Sequence, residues 1–404
     1  MRWQVDRREF LGQAAAGGAL AGLGCCGAFA ADAQQAAAPL PKVADHTLTV
    51  ISGKPRERGK QYGTEFKDAI HAFLENEIIK VCTPRSSRED LLRYAGACGK
   101  AIDKFSPEIG EELAGMAEGT GLSLEEIVLI TAHEEVAGHK EGKLPPVTHC
   151  TALAAGPPDT SDGCTYVGQN WDWMHTVFGL SQMLHWKRSE GPNVLTYAYP
   201  GLWAGAGLND RGVSLCWTWG DGLGIASPRV GIPAYVLIAQ MLYQESLEDA
   251  LAEARRAKHA GWFAFVLADG NGNIAAVDGT PEKLGIEKSK GHTARASYGC
   301  REVLGGKAGE PLKLHPQCSR MFDLLQGEKG KLNRSALQAT FTDHHVWTKG
   351  ESRGSICKHP QIDKQGVLTG FTVDSMLFDC TNKTAYITRG PGCSGRWQKF
   401  GFEA

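Results

Sequence analysis

The hydrophobic pattern of this chain changes once, near residue 148. Between residues 57 and 140, apolar side chains recur at steps of about four, which is the spacing of one face of an amphipathic helix. Beyond residue 148, short apolar runs alternate with Gly, Pro and Asn, as in a series of strands and turns. Helices and strands that occupy separate blocks predict an α+β fold.

Local signals predict the main elements. Ser106-Pro107 and the capping box that begins at Ser123 each indicate the start of a helix. The sheet is expected to begin at Cys150, and a single domain is expected over residues 46–404. Strands are predicted at 150–156, 164–173, 194–199, 203–208 and 212–219, a long helix at 233–257, and a hairpin formed by 263–268 and 274–277.

The first two predicted strands place one cysteine beside one aspartate. The interval between these strands is short and rich in Gly, Pro, Asp and Ser, which favours an antiparallel hairpin. If the turn is centred between residues 160 and 161, Cys150 lies opposite approximately residue 171. Asp172 is then expected to lie beside the Cys150 thiol.

The residues around this hairpin resemble a known family. Cys150-Thr151 followed by the run Gly-Gln-Asn-Trp-Asp at 168–172 is similar to the most specific pattern of the acyl-coenzyme A:6-aminopenicillanic acid acyltransferase family. That family belongs to the N-terminal-nucleophile (Ntn) hydrolases, with the choloylglycine hydrolases and penicillin V acylases. Looser matches are found at 59–63, 207–212, 355–359 and 388–393, so the resemblance covers nearly the whole chain after residue 46.

The resemblance implies a four-layer αββα sandwich and an enzyme that cuts its own chain after His149. Cleavage gives an α chain of about residues 31–149 and a β chain of 150–404. The new α-amino group of Cys150 then serves as general base, since a free amine titrates near pH 7.7–8.0. The thiolate attacks the acyl carbonyl of an amide and forms an acyl-thioester.

The same resemblance implies roles for further residues. Asp172 orients the new amine and the substrate, Asn209 contributes its side-chain amide to the oxyanion hole, and Arg320 supports the nucleophile. From the residues alone, an aspartate at a strand end such as Asp172 is more often a turn cap, while Asn209 is also an ordinary turn residue and Arg320 a surface helix residue. Residues assigned to substrate binding are Gln169, Asn170, Trp171 and Trp173, although core packing also explains the tryptophans.

The first thirty residues predict a targeting segment. Twin arginines are followed by Phe-Leu and then by an Ala/Gly/Leu-rich stretch that ends in a small-x-small cleavage site, which resembles a Tat export signal. Residues 31–45 predict a flexible leader. A membrane anchor is the alternative, but the apolar stretch is shorter than the roughly 20 residues that a span requires. The mature protein is therefore expected to be periplasmic or extracellular.

Composition restricts the partners. A formal charge of −2 over 404 residues gives no electrostatic reason to expect nucleic acid or anionic membrane as a partner, and favours a small-molecule substrate. The resemblance implies that this substrate is an acyl amide. Ten cysteines remain after the targeting segment, none in a CxxC pair, so a zinc cluster is disfavoured while disulfides stay open. No metal or organic cofactor is required by the expected chemistry, and a homo-oligomer stays possible.

Three alternatives remain. Cys164 is a rival nucleophile, but it is only five residues before Gln169, too close for a hairpin. A papain-like enzyme would need a histidine base, and His292 and His359 are interpreted as structural because Ntn chemistry needs no imidazole. A non-catalytic, uncut binding protein of the same fold is the third alternative, because Ala264 stands where the family often has a second oxyanion asparagine.

Overall fold

The computed structural model describes residues 40–82, 86–137, 150–220, 229–345, 355–362 and 368–403. The targeting segment, most of the leader and His149 lie outside these ranges, so export and cleavage after His149 stay predictions. Among the described residues, no helix is both long and apolar enough to cross a membrane.

The first part of the chain is mostly helical, as its periodicity predicts. A π-helical stretch, Leu74–Ile79, interrupts the second helix. Ser106 and Ser123 are N-caps, and their side chains accept hydrogen bonds from the backbone of Ile109 and Glu126. The helices are α1 (Pro55–Glu65), α2 (Lys67–Phe73), α3 (Lys80–Cys82), α4 (Arg88–Phe105), α5 (Pro107–Thr120), α6 (Leu124–Thr131) and α7 (His133–Ala137).

Fourteen strands among the described residues form two sheets. Five further helices are α8 (Ala234–Leu242), α9 (Leu247–Arg256), α10 (Arg301–Leu304), α11 (Pro316–Gly327) and α12 (Arg334–Thr340). Sheet A has the order β1-β4-β5-β6-β7-β8-β9-β10, and sheet B has the order β11-β2-β3-β12-β13-β14. The strands are β1 (Leu48–Gly53), β2 (Thr151–Ala155), β3 (Tyr166–Trp173), β4 (Gln182–Arg188), β5 (Val194–Tyr199), β6 (Leu202–Asn209), β7 (Ser214–Thr218), β8 (Phe263–Ala268), β9 (Ile274–Gly279), β10 (Leu284–Ser289), β11 (His292–Arg295), β12 (Phe371–Asp379), β13 (Thr384–Arg389) and β14 (Gln398–Phe400).

The two sheets pack face to face and helices cover both outer faces. Strands β2 and β3 of sheet B contact β7 and β8 of sheet A. Helix α8 packs on β6 and β7, while α11 and α12 pack on sheet B around a separate apolar cluster that includes Leu153, Met321 and Phe341. This arrangement confirms the predicted α+β class and the αββα layering.

Two predicted elements were wrong. The sheet does not begin at Cys150, because β1 pairs in parallel with β4 and places Leu48 opposite Met183. The helix predicted at 233–257 is two helices. It breaks after Leu242, where Ser246 caps α9 by accepting a hydrogen bond from the Asp249 backbone. A serine cap inside an otherwise periodic run is a start signal that periodicity alone misses.

The β2–β3 hairpin forms in the predicted register. Thr151 pairs with Asn170, and extension by one residue places Cys150 opposite Trp171. Successive side chains on a strand point to opposite faces of a sheet. Gln169 and Trp171 therefore face sheet A, whereas Asn170 and Asp172 face the helix-covered side of sheet B.

Glycines allow α1 and α5 to contact each other through their backbones. A Cβ added at Gly59 would lie 1.9 Å from the Glu112 carbonyl oxygen, and one added at Gly115 would lie 2.1 Å from the Arg56 carbonyl oxygen. Neither distance is possible for a real side chain, so both positions require glycine. The run at 59–63 that matched the family thus corresponds to a packing contact between two helices.

Candidate active site

The Cys150 thiol lies at the end of the β2–β3 hairpin. Its Sγ accepts a hydrogen bond from the Asp172 backbone N–H at 3.4 Å, and lies 3.7 Å from the Asp172 carbonyl oxygen. Burial raises the pKa of the thiol to about 12, and the charge of Asp172 adds to this rise. A thiol with this pKa is protonated near neutral pH and needs a base before it can attack a carbonyl.

A buried ion pair lies behind the thiol. The Lys358 ammonium is 2.6 Å from Asp172 Oδ2, and both side chains are at most 2% exposed. The Thr372 hydroxyl donates to Asp172 Oδ1 at 2.5 Å and accepts from the Lys358 backbone N–H at 3.0 Å. The positive charge of Lys358 opposes the rise in the pKa of the Cys150 thiol. Asp172 is therefore fixed on two sides, by an ammonium and by a hydroxyl.

The Gln169 side chain lies on the same face of the sheet as the thiol. Its Oε1 accepts a hydrogen bond from the Trp217 backbone N–H at 2.9 Å, which fixes the orientation of the amide. The amide nitrogen Nε2 is buried and makes no hydrogen bond of normal length to the described residues. It approaches Cys150 closely enough to lower the pKa of the thiol. Gln169 is thus a buried amide, fixed in orientation, in the neighbourhood of the thiol.

Aromatic side chains surround this region. Trp171 is 2% exposed, and its ring centroid is 5.1 Å from Tyr197 and 6.1 Å from Trp217. Trp173, which is more exposed, meets Tyr199 edge to face at 4.8 Å. Burial raises the pKa of Tyr199, and the charge of a Cys150 thiolate adds to this rise, so that ring is near the thiol. The two predicted tryptophans therefore lie on the same face of β3 as Gln169.

Asn170 does not face this region, contrary to the substrate-binding prediction. It lies on the other face of β3, where its amide donates to the Phe341 and Ile356 carbonyls at 3.0 and 2.9 Å. Its Oδ1 accepts from the Ser375 hydroxyl at 2.7 Å. Strand alternation excludes it from the thiol side. Asn170 instead anchors the segment that carries Lys358.

Asn209 is not beside the thiol either. Its amide donates to the Leu242 and Gln244 carbonyls at 2.9 and 2.7 Å, and its Oδ1 accepts from two backbone N–H groups of its own turn. Asn209 pairs with Val194 at one end of β5, whereas Tyr199 is at the other end, about 16 Å along the strand. The oxyanion role is therefore not supported, and the turn interpretation is the one that the structure shows.

Arg320 forms a two-pronged ion pair with Asp343, at 3.2 and 2.7 Å, rather than a contact with Cys150. The Asp343 carbonyl in turn accepts hydrogen bonds from the Cys357 backbone and the Ser355 hydroxyl. Arg320 thus supports the segment that leads to Lys358, one step further from the thiol than the resemblance implied.

Sequence reasoning did not identify Lys358 as a site residue. Lys358 lies in the run Ser355–His359, which resembles the family. Its partner Asp172 is 186 positions away along the chain. Only a buried aspartate without a predicted cation nearby could have indicated such a partner.

The rival residues lie elsewhere. Cys164 is partly exposed near the hairpin turn, where its Sγ contacts Asn382. The His292 ring is 2.6 Å from Asp159, at the same turn, which agrees with a structural role. Neither arrangement places a second thiol or an imidazole base beside Asp172.

Four side chains from three separate segments of the chain come together. Every one of the ten described cysteines is free of a disulfide. The side chains of His344, Cys357, His359 and Cys393 bring their ligand atoms within 4.8 Å of one another. The cysteines lack the close spacing along the chain that is typical of metal clusters, but the fold brings distant residues together in spite of that spacing.

No family model matches the chain. Among solved structures, it is similar to an arginine-to-leucine variant of conjugated bile acid hydrolase from Clostridium perfringens, with a TM-score of 0.43 and 12% identity over 62% of this chain and 92% of that one. It is also similar to a cysteine-to-alanine mutant of the same protein, with a TM-score of 0.39 and 11% identity over 62% of this chain and 96% of that one. For penicillin V acylase from Agrobacterium tumefaciens, the TM-score is 0.37 and the identity is 11% over 59% of this chain and 83% of that one.

Proposed function

We propose that this protein is a self-processing amidohydrolase of the Ntn type, with Cys150 as its nucleophile. The observation that carries the proposal is the placement of the Cys150 thiol beside both the buried Asp172–Lys358 pair and the Gln169 amide. A thiol, a fixed carboxylate and a directed donor are the groups that acyl transfer through a thioester needs.

The first reaction is removal of the chain before Cys150. The thiol attacks the carbonyl of residue 149, its proton passes to the departing Cys150 nitrogen as the peptide C–N bond breaks, and the acyl group moves from nitrogen to sulfur. Water then hydrolyses the thioester, which leaves a carboxylate on His149 and a free α-amino group on Cys150. The new amine then supplies the base for each later attack by the thiol.

In the mature enzyme the amine takes the proton of its own thiol, and the thiolate attacks the substrate amide carbonyl. The carbonyl oxygen gains negative charge, which the Gln169 amide is placed to stabilise in the role first assigned to Asn209. The leaving amine takes the proton from the Cys150 amine, and water hydrolyses the acyl-thioester. Asp172, held by Lys358, orients the amine.

The surroundings favour an acyl group of some bulk. Trp171, Trp173 and Tyr199 offer aromatic surface near the thiol, and the partner we propose is a small-molecule acyl amide. Transfer of the acyl group from acyl-coenzyme A, as in the acyltransferase family, is the alternative to hydrolysis. Export through the amino-terminal signal favours hydrolysis, because an exported enzyme rarely meets that thioester.

Denaturing electrophoresis and intact-mass analysis test the proposal. The wild-type protein should give two fragments, the larger beginning at Cys150, and Cys150→Ala should remain uncut. Cys164→Ala is the matched control and should process normally. A panel of N-acyl amides should be hydrolysed by the processed protein alone. An uncut wild-type chain that hydrolyses amides would refute the mechanism, and an uncut chain that only binds them would establish the non-catalytic alternative.

A further inference from the structure

The cluster of His344, Cys357, His359 and Cys393 has no part in the chemistry proposed above. It draws on two of the runs that matched the family, 355–359 and 388–393, and adds a histidine that follows α12. We propose that these four side chains form a zinc site that holds the 355–359 segment in place. The proposal stands whether or not Cys150 is a nucleophile.

The distances between the ligand atoms fit a tetrahedron. With Zn–S near 2.3 Å and Zn–N near 2.0–2.1 Å, tetrahedral geometry requires about 3.8 Å between two sulfurs, about 3.3 Å between two nitrogens and about 3.6 Å for a mixed pair. The Cys357 and Cys393 sulfurs are 3.6 Å apart, and the His344 and His359 Nε2 atoms are 3.0 Å apart. His359 Nε2 is 3.1 Å from Cys393 Sγ and 3.9 Å from Cys357 Sγ. All four measured edges are within about half an ångström of the expected values.

The donor set selects the metal. Two thiolates and two imidazoles are the Cys₂His₂ set of structural zinc sites, whereas calcium and magnesium prefer oxygen ligands. A site with four protein ligands leaves no open position, so its role is structural. Binding releases the two thiol protons to solvent, because zinc takes cysteine as thiolate.

A disulfide is the other chemistry that two close cysteines allow. A bonded pair requires about 2.05 Å between sulfurs, and Cys357 and Cys393 are in non-bonded contact at 3.6 Å. The disulfide also leaves the two imidazoles without a function, although both direct Nε2 at the same point. The convergence of four ligand atoms therefore favours the metal.

The site is supported from outside. The Asp343 carbonyl accepts a hydrogen bond from the Cys357 backbone at 3.0 Å, and Arg320 holds the Asp343 carboxylate. His344 directly follows Asp343, so one ion pair fixes the positions of two ligands. Cys357 is buried whereas Cys393 is exposed, which gives the metal an entry path.

The site has a consequence for the thiol region. Lys358 lies between Cys357 and His359 in the chain, and its ammonium pairs with Asp172. A metal that holds both neighbours would fix the backbone from which Lys358 reaches Asp172. Lys358 is in this sense a positioning residue, and the zinc site fixes its position.

Metal analysis tests the proposal in the uncut Cys150→Ala background, so failure of the proposed enzyme function has no bearing on the result. Protein purified under reducing conditions and equilibrated with Zn²⁺ should hold one zinc per chain by mass spectrometry. Loss of an outer-sphere partner weakens metal binding by about 10–100-fold, so His344→Ala and Cys393→Ala, which remove direct ligands, should weaken it by more. Cys164→Ala and His345→Ala should retain the zinc.

Cobalt substitution gives a second readout. Co²⁺ should show the intense visible bands of a tetrahedral site together with thiolate-to-metal charge transfer, and Cys393→Ala should lose part of the latter. Because Cys393 is exposed, its removal leaves the core intact, which circular dichroism checks. Zinc content below one per chain, equal affinity in the ligand variants, or a peptide map in which Cys357 is joined to Cys393 would overturn the proposal.

Discussion

Removal of the buried ammonium of Lys358 is the most informative perturbation of the proposed site. In Lys358→Met the Asp172 carboxylate, whose side chain is 0% exposed, stays buried and keeps the hydrogen bond from the Thr372 hydroxyl. At 2.6 Å and an effective dielectric constant near 20, the lost attraction is about 6 kcal/mol. Relaxation and entry of water reduce this, so we expect the free energy of unfolding to fall by about 3–5 kcal/mol.

A matched surface pair gives the control. Lys288 and Glu248 are 2.5 Å apart but 58% and 61% exposed, so Lys288→Met should cost less than about 1 kcal/mol. Urea unfolding, followed by tryptophan fluorescence and circular dichroism, measures the free energy of unfolding of both lysine variants in the uncut Cys150→Ala background. The double variant Lys358→Met/Asp172→Asn should recover about 2 kcal/mol, because no uncompensated charge remains. The reasoning would be refuted if both lysine substitutions lowered the free energy of unfolding equally. It would also be refuted if the effects of Lys358→Met and Asp172→Asn simply added in the double variant.

Other regions give further predictions. Gly115→Ala should cost about 1–3 kcal/mol in urea unfolding, because the new Cβ meets a backbone oxygen of α1 at 2.1 Å, whereas Gly327→Ala, with open space around it, should be neutral or stabilising. Burial lowers the pKa of His185 to about 4, so between pH 6.5 and 4 the unfolded chain binds more protons and acid favours unfolding. His185→Leu should flatten the fall of stability with acidification by at most about 1.4 kcal/mol per pH unit; an unchanged slope would contradict this. If Gln169 stabilises the oxyanion, Gln169→Leu should lower kcat about 10²–10³-fold in the processed enzyme with KM nearly unchanged, and an effect on KM alone would exclude that role.

The sequence predicted the parts of the fold that depend on local pattern. Periodicity gave the helices before residue 137, and turn chemistry gave the β2–β3 register that sets Cys150 opposite Trp171. Short signals inside a periodic run were missed, as at Ser246, where a cap divides a predicted long helix. The edge strand β1 was also missed, since its parallel partner β4 lies more than 130 residues later.

The site was predicted less completely, for a physical reason. Alternation on β3 separates Gln169 from Asn170, and sequence reasoning assigned both to the substrate without applying that alternation. Lys358 and the two cysteine–histidine segments depend on contacts between distant parts of the chain. Such contacts leave no local pattern, because each residue alone is compatible with an exposed loop.

The position of β1 bears on how a processed molecule would recover from unfolding. A cut before Cys150 leaves β1 on one fragment and its partner β4 on the other, and Tyr62 of α1 donates to the Tyr199 carbonyl across the same division. The two fragments would then complete one sheet together without a covalent link. Renaturation of cut protein becomes a second-order reaction whose yield depends on concentration, whereas the uncut precursor folds as a single molecule. At high dilution the sheet would therefore form efficiently only if the chain folds before it is cut.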